Sequence, residues 1–159
     1  MLLKEYNFDL VVVGAGPAGS SAAFAASKEG ISVALLEKEK EVAETVRTSG
    51  VTWIADANEF GIPEAYYNPI TNYSICSPTK SVTIRDSQPK AAVLDVRKTY
   101  KYLADEAEKT GTKLFVNTNV TEIVTDDDDK PIGVIAKVVE SQIKFNAKMI
   151  IDCSGFQSV

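Results

Sequence analysis

Three glycines and one glutamate carry the first chemical signal in this sequence. Gly14, Gly16 and Gly19 fall in VVVGAGPAG, residues 11–19, with the spacing G-x-G-x-x-G. A strand that feeds a helix through such a turn points backbone N–H groups and the positive end of the helix dipole at one spot, which makes an anion site. Gly14 allows the turn, Gly16 lets the backbone approach a pyrophosphate, and Gly19 permits close helix–strand packing. Glu37 closes the next apolar run. A carboxylate there accepts hydrogen bonds from ribose hydroxyls and repels a 2′-phosphate. The competing structural reading is a glycine-rich turn with a surface glutamate nearby. Strand, turn, helix, strand and acid in register favour dinucleotide binding.

The elements that must position these residues are legible on either side. FDLVVVGA (8–15) is continuously apolar and predicts a strand buried on both faces. PAGSSAAFAASK (17–28) predicts a helix, with proline in its first turn and Gly30 after its end. Its small residues Ala18, Ala22, Ala25 and Ala26 are expected to let it lie close against the sheet. ISVALLEK (31–38) predicts a second buried strand. Together these make a βαβ unit over 1–40, with a right-handed crossover.

The middle, 41–95, is less regular and reads as an inserted, cap-like segment on the substrate side. KEVAETVRTSG and TWIADANEFG each predict a short helix, while NYSICSP, KSVTIRD and AAVLD predict antiparallel strands. Over 96–159 the pattern predicts a helix, a meander and a return strand. In VRKTYKYLADEAEKTG, Val96, Tyr100, Leu103 and Ala107 share a face, Asp95 is placed to cap the start and Gly111 to end it. KLFVNTNVTEIVTD, PIGVIAKVVE, QIKFNAK and MIIDCSG then predict separate strands.

Composition narrows the chemistry. At 159 residues, 45% hydrophobic and 25% charged, the chain has the make-up of one ordinary globular domain. A net charge of −5 argues against a nucleic-acid partner. Part of that charge is the run Asp126–Asp129, which reads as a solvated hairpin tip. Two cysteines far apart in sequence make no disulfide framework and fit a reducing cytoplasm. No apolar run reaches transmembrane length, which leaves a peripheral lipid contact open. Histidine is absent, so the commonest metal ligand and general base are missing and no metal site is expected.

Beyond the glycine loop the chain is similar to a known family. VVVGAGPAGSSAAFAASKEGISVALLEK resembles the opening of FAD-dependent oxidoreductases of the p-hydroxybenzoate hydroxylase superfamily. LDVRKTYKYLADEAEKTGTKLFVNTNVTEI resembles their arginine-headed helix and meander, and MIIDCSGFQSV their later ADG-type landmark. Within the superfamily, RTSG (47–50), YSICSP (73–78) and DCSG (152–155) look like the archaeal geranylgeranyl reductases. The resemblance implies an α/β fold: a Rossmann-like FAD-binding domain of glutathione-reductase type, with a parallel central sheet, an antiparallel β-meander and a partial inserted β-layer.

The same resemblance implies the site. Gly14, Gly16, Ala18 and Gly19 would hold the pyrophosphate of FAD and Glu37 the adenosine ribose, with Ala15, Pro17 and Lys38 also among the cofactor-binding residues. Arg47, Ser49 and Gly50 would line the route toward the flavin ring. Arg97 would reach the pyrophosphate or ribityl region, and Val120 would contact adenine through its backbone. Cys153, Ser154 and Gly155 would sit near the adenosine end. Plainer readings stand beside these: Arg97 as an exposed first-turn arginine, Ser49 as a turn residue, and Cys153 and Cys76 as packing.

The resemblance further implies hydride transfer from reduced flavin to an isoprenoid alkene, with NAD(P)H or ferredoxin as donor. Two departures limit it. Ser49 stands where that branch has cysteine, so chemistry assigned to the thiol does not carry over. The family also continues past the counterpart of Val159 with a G-D motif and a substrate cavity. The sequence therefore predicts weak flavin affinity and no turnover by the 159 residues alone, with the C-terminal half a separate chain in one version. A flavin monooxygenase or halogenase, a catalytically silent nucleotide-binding module, and an NAD-binding dehydrogenase are the competing functions.

Overall fold

Four residues in the first strand, Leu10 to Val13, are buried on both faces of a sheet, which is what a continuous apolar run requires. They end β1 (Lys4–Val13), the first element of a computed structural model that describes residues 4–156. The remaining elements are α1 (Pro17–Lys28), β2 (Val33–Leu36), β3 (Val51–Trp53), α2 (Ile54–Glu59), a 3-10 turn (Glu64–Tyr66), β4 (Tyr67–Ile70), β5 (Asn72–Cys76), β6 (Ser81–Arg85), β7 (Ala91–Leu94), α3 (Val96–Lys109), β8 (Lys113–Phe115), β9 (Asn119–Thr125), β10 (Pro131–Val138) and β11 (Ser141–Asp152). The chain up to Thr45, together with the part from Tyr100 onward, makes one compact unit. Val46–Thr99 makes a second.

The larger unit is built on a six-stranded sheet in the order β8-β2-β1-β11-β10-β9. β8, β2, β1 and β11 are parallel neighbours, and β11, β10 and β9 form an antiparallel meander. The register at the top of the sheet is Val13↔Leu36 on one side and Val13↔Asp152 on the other. One face carries Leu10, Val12, Val33 and Leu35 packed with Ala23 of α1 and Ala104 and Ala107 of α3. The other carries Val11, Val13, Ala34 and Leu36, closed by Val120, Val134, Ala136 and Phe145 of the meander. An aromatic cluster finishes that second core: Phe145 lies 5.3 Å from Tyr6 and 5.1 Å from Phe115, centroid to centroid.

Helix α1 lies on the sheet through Gly19, Ser20, Ala23 and Ser27, whereas Ala18 and Ala25 are exposed and Ala22 and Ala26 are half-buried. The expected alanine stripe holds at Ala26, which packs against the first core, and is corrected at Ala18 and Ala25. A turn of 100° per residue puts 19/20, 23 and 27 on one side. The serines tolerate burial because their hydroxyls donate to carbonyls, Ser20 to Ala15 at 3.2 Å and Ser27 to Ala23 at 2.8 Å. In α3 the expected cap is present: Asp95 Oδ1 accepts the Lys98 N–H at 3.2 Å.

The smaller unit contains the three-stranded sheet β3-β7-β4 and the two-stranded ribbon β5-β6. Residues 41–50 form bends and turns instead of the expected short helix, with Ala43 at φ 60°. β3 and β4 arise where no strand was read. Both pair with β7, whose Ala91 and Ala92 are buried. QIKFNAK and MIIDCSG are not separate strands but parts of the single β11. Its polar residues are carried through because both neighbours pair with it, Asn146 against Asn7 and Gly133.

Candidate functional site

The glycine turn is shaped by contacts that a side chain would destroy. Gly14 has φ +95°, and a Cβ there would lie 2.6 Å from the Cys153 carbonyl oxygen. A Cβ on Gly19 would fall 1.8 Å from the Gly14 carbonyl oxygen. Gly16 differs. It caps α1 with φ −69°, and nothing lies within 4 Å of where its Cβ would be. The open side of the turn is thus at Gly16, and the closed sides face α1 and the turn after β11.

The amides divide in the same way. Gly14 N–H donates to the Leu36 carbonyl at 2.7 Å and Ala15 N–H to Glu37 Oε2 at 2.9 Å, so both serve the fold. The first helical bond is Ser20 N–H to the Gly16 carbonyl, 2.9 Å. Ala18 and Gly19 therefore present their amides at the start of α1 before any helical bond can form, and Pro17 has none to present. These amides and the helix dipole meet the space beside Gly16.

Glu37 continues from β2 and is half-buried. Its Oε1 accepts the Glu39 N–H at 3.0 Å, and its Oε2 the Ala15 N–H. A carboxylate offers about four lone-pair positions, so two remain for hydroxyl donors. Its own carbonyl accepts Thr118 N–H at 2.8 Å, and Asn117 N–H reaches the Glu39 carbonyl at 2.8 Å. The loop after β8, with Asn117 at φ 50°, thereby joins the mouth of the turn. Sequence reasoning missed this loop, although an Asn in N-T-N ahead of a strand is a signal for a left-handed residue. Val120, three residues beyond Asn117, is buried on the meander side of the core. Lys38 is exposed beside Glu37.

At the end of β11, Cys153 N–H continues the ladder to the Val13 carbonyl, 2.8 Å. Cys153 is half-buried, and its Cβ would sit 3.2 Å from a Cβ on Gly19. Burial, and then the Asp152 carboxylate, push its thiol above the ordinary value, so it packs as a protonated group. Asp152 Oδ1 accepts both the amide and the hydroxyl of Ser154, at 2.9 and 2.6 Å, and Gly155 follows at φ +80°.

Gly14–Gly19, Glu37, Lys38, Val120 and Cys153–Gly155 all belong to the larger unit, and Arg47, Ser49, Gly50 and Arg97 to the smaller. In the smaller unit, Gly50 is buried at φ +74°, with a would-be Cβ 2.7 Å from Val96 Cγ2 and 2.9 Å from the Leu94 carbonyl oxygen. Gly50 thus meets the first residue of α3, next to Arg97. Arg47, Ser49 and Arg97 are exposed. Among the described residues no helix is long and apolar enough to cross a membrane, and no group of His, Cys, Asp or Glu is arranged to hold a metal.

A βαβ unit with this turn, this acid and a β-meander beside the parallel strands defines a dinucleotide-binding fold of the flavoprotein kind. The chain belongs to the FAD dependent oxidoreductase family, whose profile matches residues 9–157, and FAD is the cofactor of that family. It is 35% identical to the digeranylgeranylglycerophospholipid reductase of Methanocaldococcus jannaschii, over 98% of this chain and 40% of that protein. An uncharacterized protein in the nifH2 5′ region of Methanosarcina barkeri is 32% identical, over 99% of this chain and 88% of that one. The crystal structure of a geranylgeranyl bacteriochlorophyll reductase-like protein from Thermoplasma acidophilum superposes with a TM-score of 0.86 at 26% identity, over 96% of this chain and 40% of that chain. The chain thus spans about 40% of the length of the reductase relatives it matches.

Proposed function

We propose that these residues are the FAD-binding portion of a flavoprotein reductase that saturates isoprenoid lipid chains. The observation that carries the reading is the Glu37 carboxylate held at the mouth of the glycine turn by the Ala15 amide, 2.9 Å away. The residues are of the kind the group needs: nothing lies within 4 Å of where a Cβ on Gly16 would be, which would let a diphosphate approach, and the carboxylate would keep acceptor positions for a ribose. The bound FAD would supply the two-electron chemistry.

The chain's own residues would bind and orient. Gly16, Ala18 and Gly19 would donate amides to the pyrophosphate, with Gly14, Ala15 and Pro17 setting the turn. Glu37 would hold the adenosine ribose with Lys38 beside it, and Val120 would present backbone to adenine. Cys153, Ser154 and Gly155 would close the adenosine end. Arg97 would offset phosphate charge, and Arg47, Ser49 and Gly50 would border the path to the reactive ring. A geranylgeranyl lipid as substrate, NAD(P)H or ferredoxin as donor and a peripheral contact with a membrane complete the proposal. Support for the lipid comes from the names of the reductase relatives.

The test is calorimetric titration of the purified chain with FAD and, separately, NAD. Saturable FAD binding that Gly16→Val abolishes is the expected result. Binding of NAD alone would overturn the reading. With the remaining portion of a reductase supplied, anaerobic saturation of a prenyl chain by the reduced protein would test the substrate.

A further inference from the structure

The end of β2 is gripped on the flank away from β1 and its glycine turn, by the loop that follows β8. The paired register of the two strands ends at Leu36↔Phe115. Just beyond it the Glu37 amide donates to the Phe115 carbonyl at 2.8 Å. A parallel ladder running on regularly would give the Glu37 carbonyl to the Asn117 amide. Instead Asn117 turns left-handed, with φ 50°, and the next amide, that of Thr118, donates to the Glu37 carbonyl at 2.8 Å. The Asn117 amide is thereby released to the Glu39 carbonyl, also at 2.8 Å.

Glu39 carries this arrangement to the site. Its carbonyl is fixed by Asn117, and its own amide donates to Glu37 Oε1 at 3.0 Å. The other carboxylate oxygen, Oε2, takes the Ala15 amide at 2.9 Å. The direction of the carboxylate thus has two supports, one from the glycine turn and one from the β8 loop through Glu39. Thr118 pins the loop from inside, being buried with its hydroxyl on the Val116 carbonyl at 2.8 Å. Asn117 is exposed, so its residue type counts through the backbone. Asparagine visits the left-handed region readily, and a β-branched residue resists it.

We propose that Asn117 is a positioning residue for recognition of the adenosine ribose: its left-handed backbone sets its amide on Glu39, and Glu39 aims the Glu37 carboxylate at the 2′-hydroxyl. The inference rests on reading Glu37 as the ribose acceptor, and it adds the residue that sets the acceptor's direction.

The test compares ADP with 2′-deoxy-ADP as calorimetric ligands of the 159-residue chain. Wild type should prefer ADP by roughly tenfold, the worth of one hydrogen bond to a charged group. Asn117→Val should cut that preference below about threefold, because the carboxylate loses its aim. Asn117→Gly, which accepts the left-handed turn, should keep the preference within about twofold of wild type, as should Asn119→Val on the exposed strand position beyond it. If Asn117→Val disturbs the circular dichroism of the free chain, Asn117→Ala takes its place. A second measurement uses no nucleotide: in the same variant the Ala15 and Glu39 amides should lose exchange protection relative to the amides of β10. A role confined to loop stability would weaken both nucleotides alike and leave their ratio unchanged, and that result overturns the proposal. Unchanged protection of Ala15 and Glu39 also overturns it. Failure of the underlying reading looks different: wild type that binds neither nucleotide, or both equally, removes the ribose role of Glu37 and the proposal with it.

Discussion

Glu37 and Ala15, far apart in the chain, are joined by a 2.9 Å hydrogen bond from the Ala15 amide to the Glu37 carboxylate. The bond makes the end of β2 a structural part of the glycine turn. Glu37→Ala removes this acceptor and the one for the Glu39 amide, leaving two donors near the turn unpaired. Stability should fall by about 1–3 kcal/mol in urea unfolding. FAD binding should weaken by about 1–2 kcal/mol beyond any effect of unfolding, read from flavin fluorescence. Glu37→Gln, which keeps an acceptor but loses the charge, should fall between the two. Unchanged affinity in Glu37→Ala would remove the ribose role.

Gly16 and Gly19 should separate folding from binding. A Cβ on Gly19 would lie 1.8 Å from the Gly14 carbonyl oxygen, and that oxygen is backbone and cannot swing aside. A Cβ on Gly16 meets nothing within 4 Å. Gly16→Ala should melt within a few degrees of wild type yet lose most FAD affinity, because its methyl would fill the space proposed for the diphosphate. Gly19→Ala should lose stability by roughly 3 kcal/mol or more. Equal melting temperatures for the two variants would contradict this geometry.

How much of this was legible in the sequence follows from which forces were local. The bounds of α1 could be read from Pro17 and Gly30, since both signals act on neighbouring backbone. Its buried face could not: alanine content drew attention to Ala18 and Ala25, while helical geometry and two hydroxyl–carbonyl bonds selected Ser20 and Ser27. β11 was read as two strands because Asn146 and Lys148 look like turn residues. Pairing on both sides as far as Asn146, which also donates to Glu5 and Asn7, and pairing with β1 beyond it make the strand continuous. β3 and β4 are three and four residues long and exist by virtue of β7 between them. Glu37 stands out in the sequence because charge at the end of a buried run is conspicuous. Its anchoring to Ala15 and the Thr118 contact are tertiary and left no local trace.

Asp9 gives an acid-dependent contribution at the opposite end of the parallel strands from Gly14. The Lys148 ammonium at 2.6 Å, then the Ser32 hydroxyl and amide, hold its carboxyl down at about 2, against an ordinary 3.8. A depressed folded-state value means that the ionised form stabilises the fold. The contribution is complete above about pH 4 and is lost as pH falls through about 2. The advantage of wild type over Asp9→Asn in urea midpoint should therefore be constant from pH 7 to 4.5 and shrink between pH 4 and 2. It should also diminish in high salt, because the pair is exposed. A difference independent of pH would show that Asp9 acts by shape alone.

Val139 marks a local conflict that one substitution should relieve. β10 and β11 close on a two-residue loop, Val139 and Glu140, flanked by the pair Val138↔Ser141. Val139 adopts φ 56°, where a β-branched side chain crowds its own backbone, and it is 77% exposed. Its isopropyl group therefore loses little packing if removed, while the turn favours glycine at that position. Against this, glycine adds backbone freedom to the unfolded chain, which offsets part of the gain. Relief of the left-handed strain is the larger effect, about 1–2 kcal/mol for a non-glycine residue. Val139→Gly should accordingly raise the unfolding free energy by about 0.5–1 kcal/mol and leave FAD affinity unchanged, since the loop lies far along β11 from Asp152. A loss of stability would mean that Val139 makes a contact worth more than the strain, and amide exchange across 131–152 would locate it.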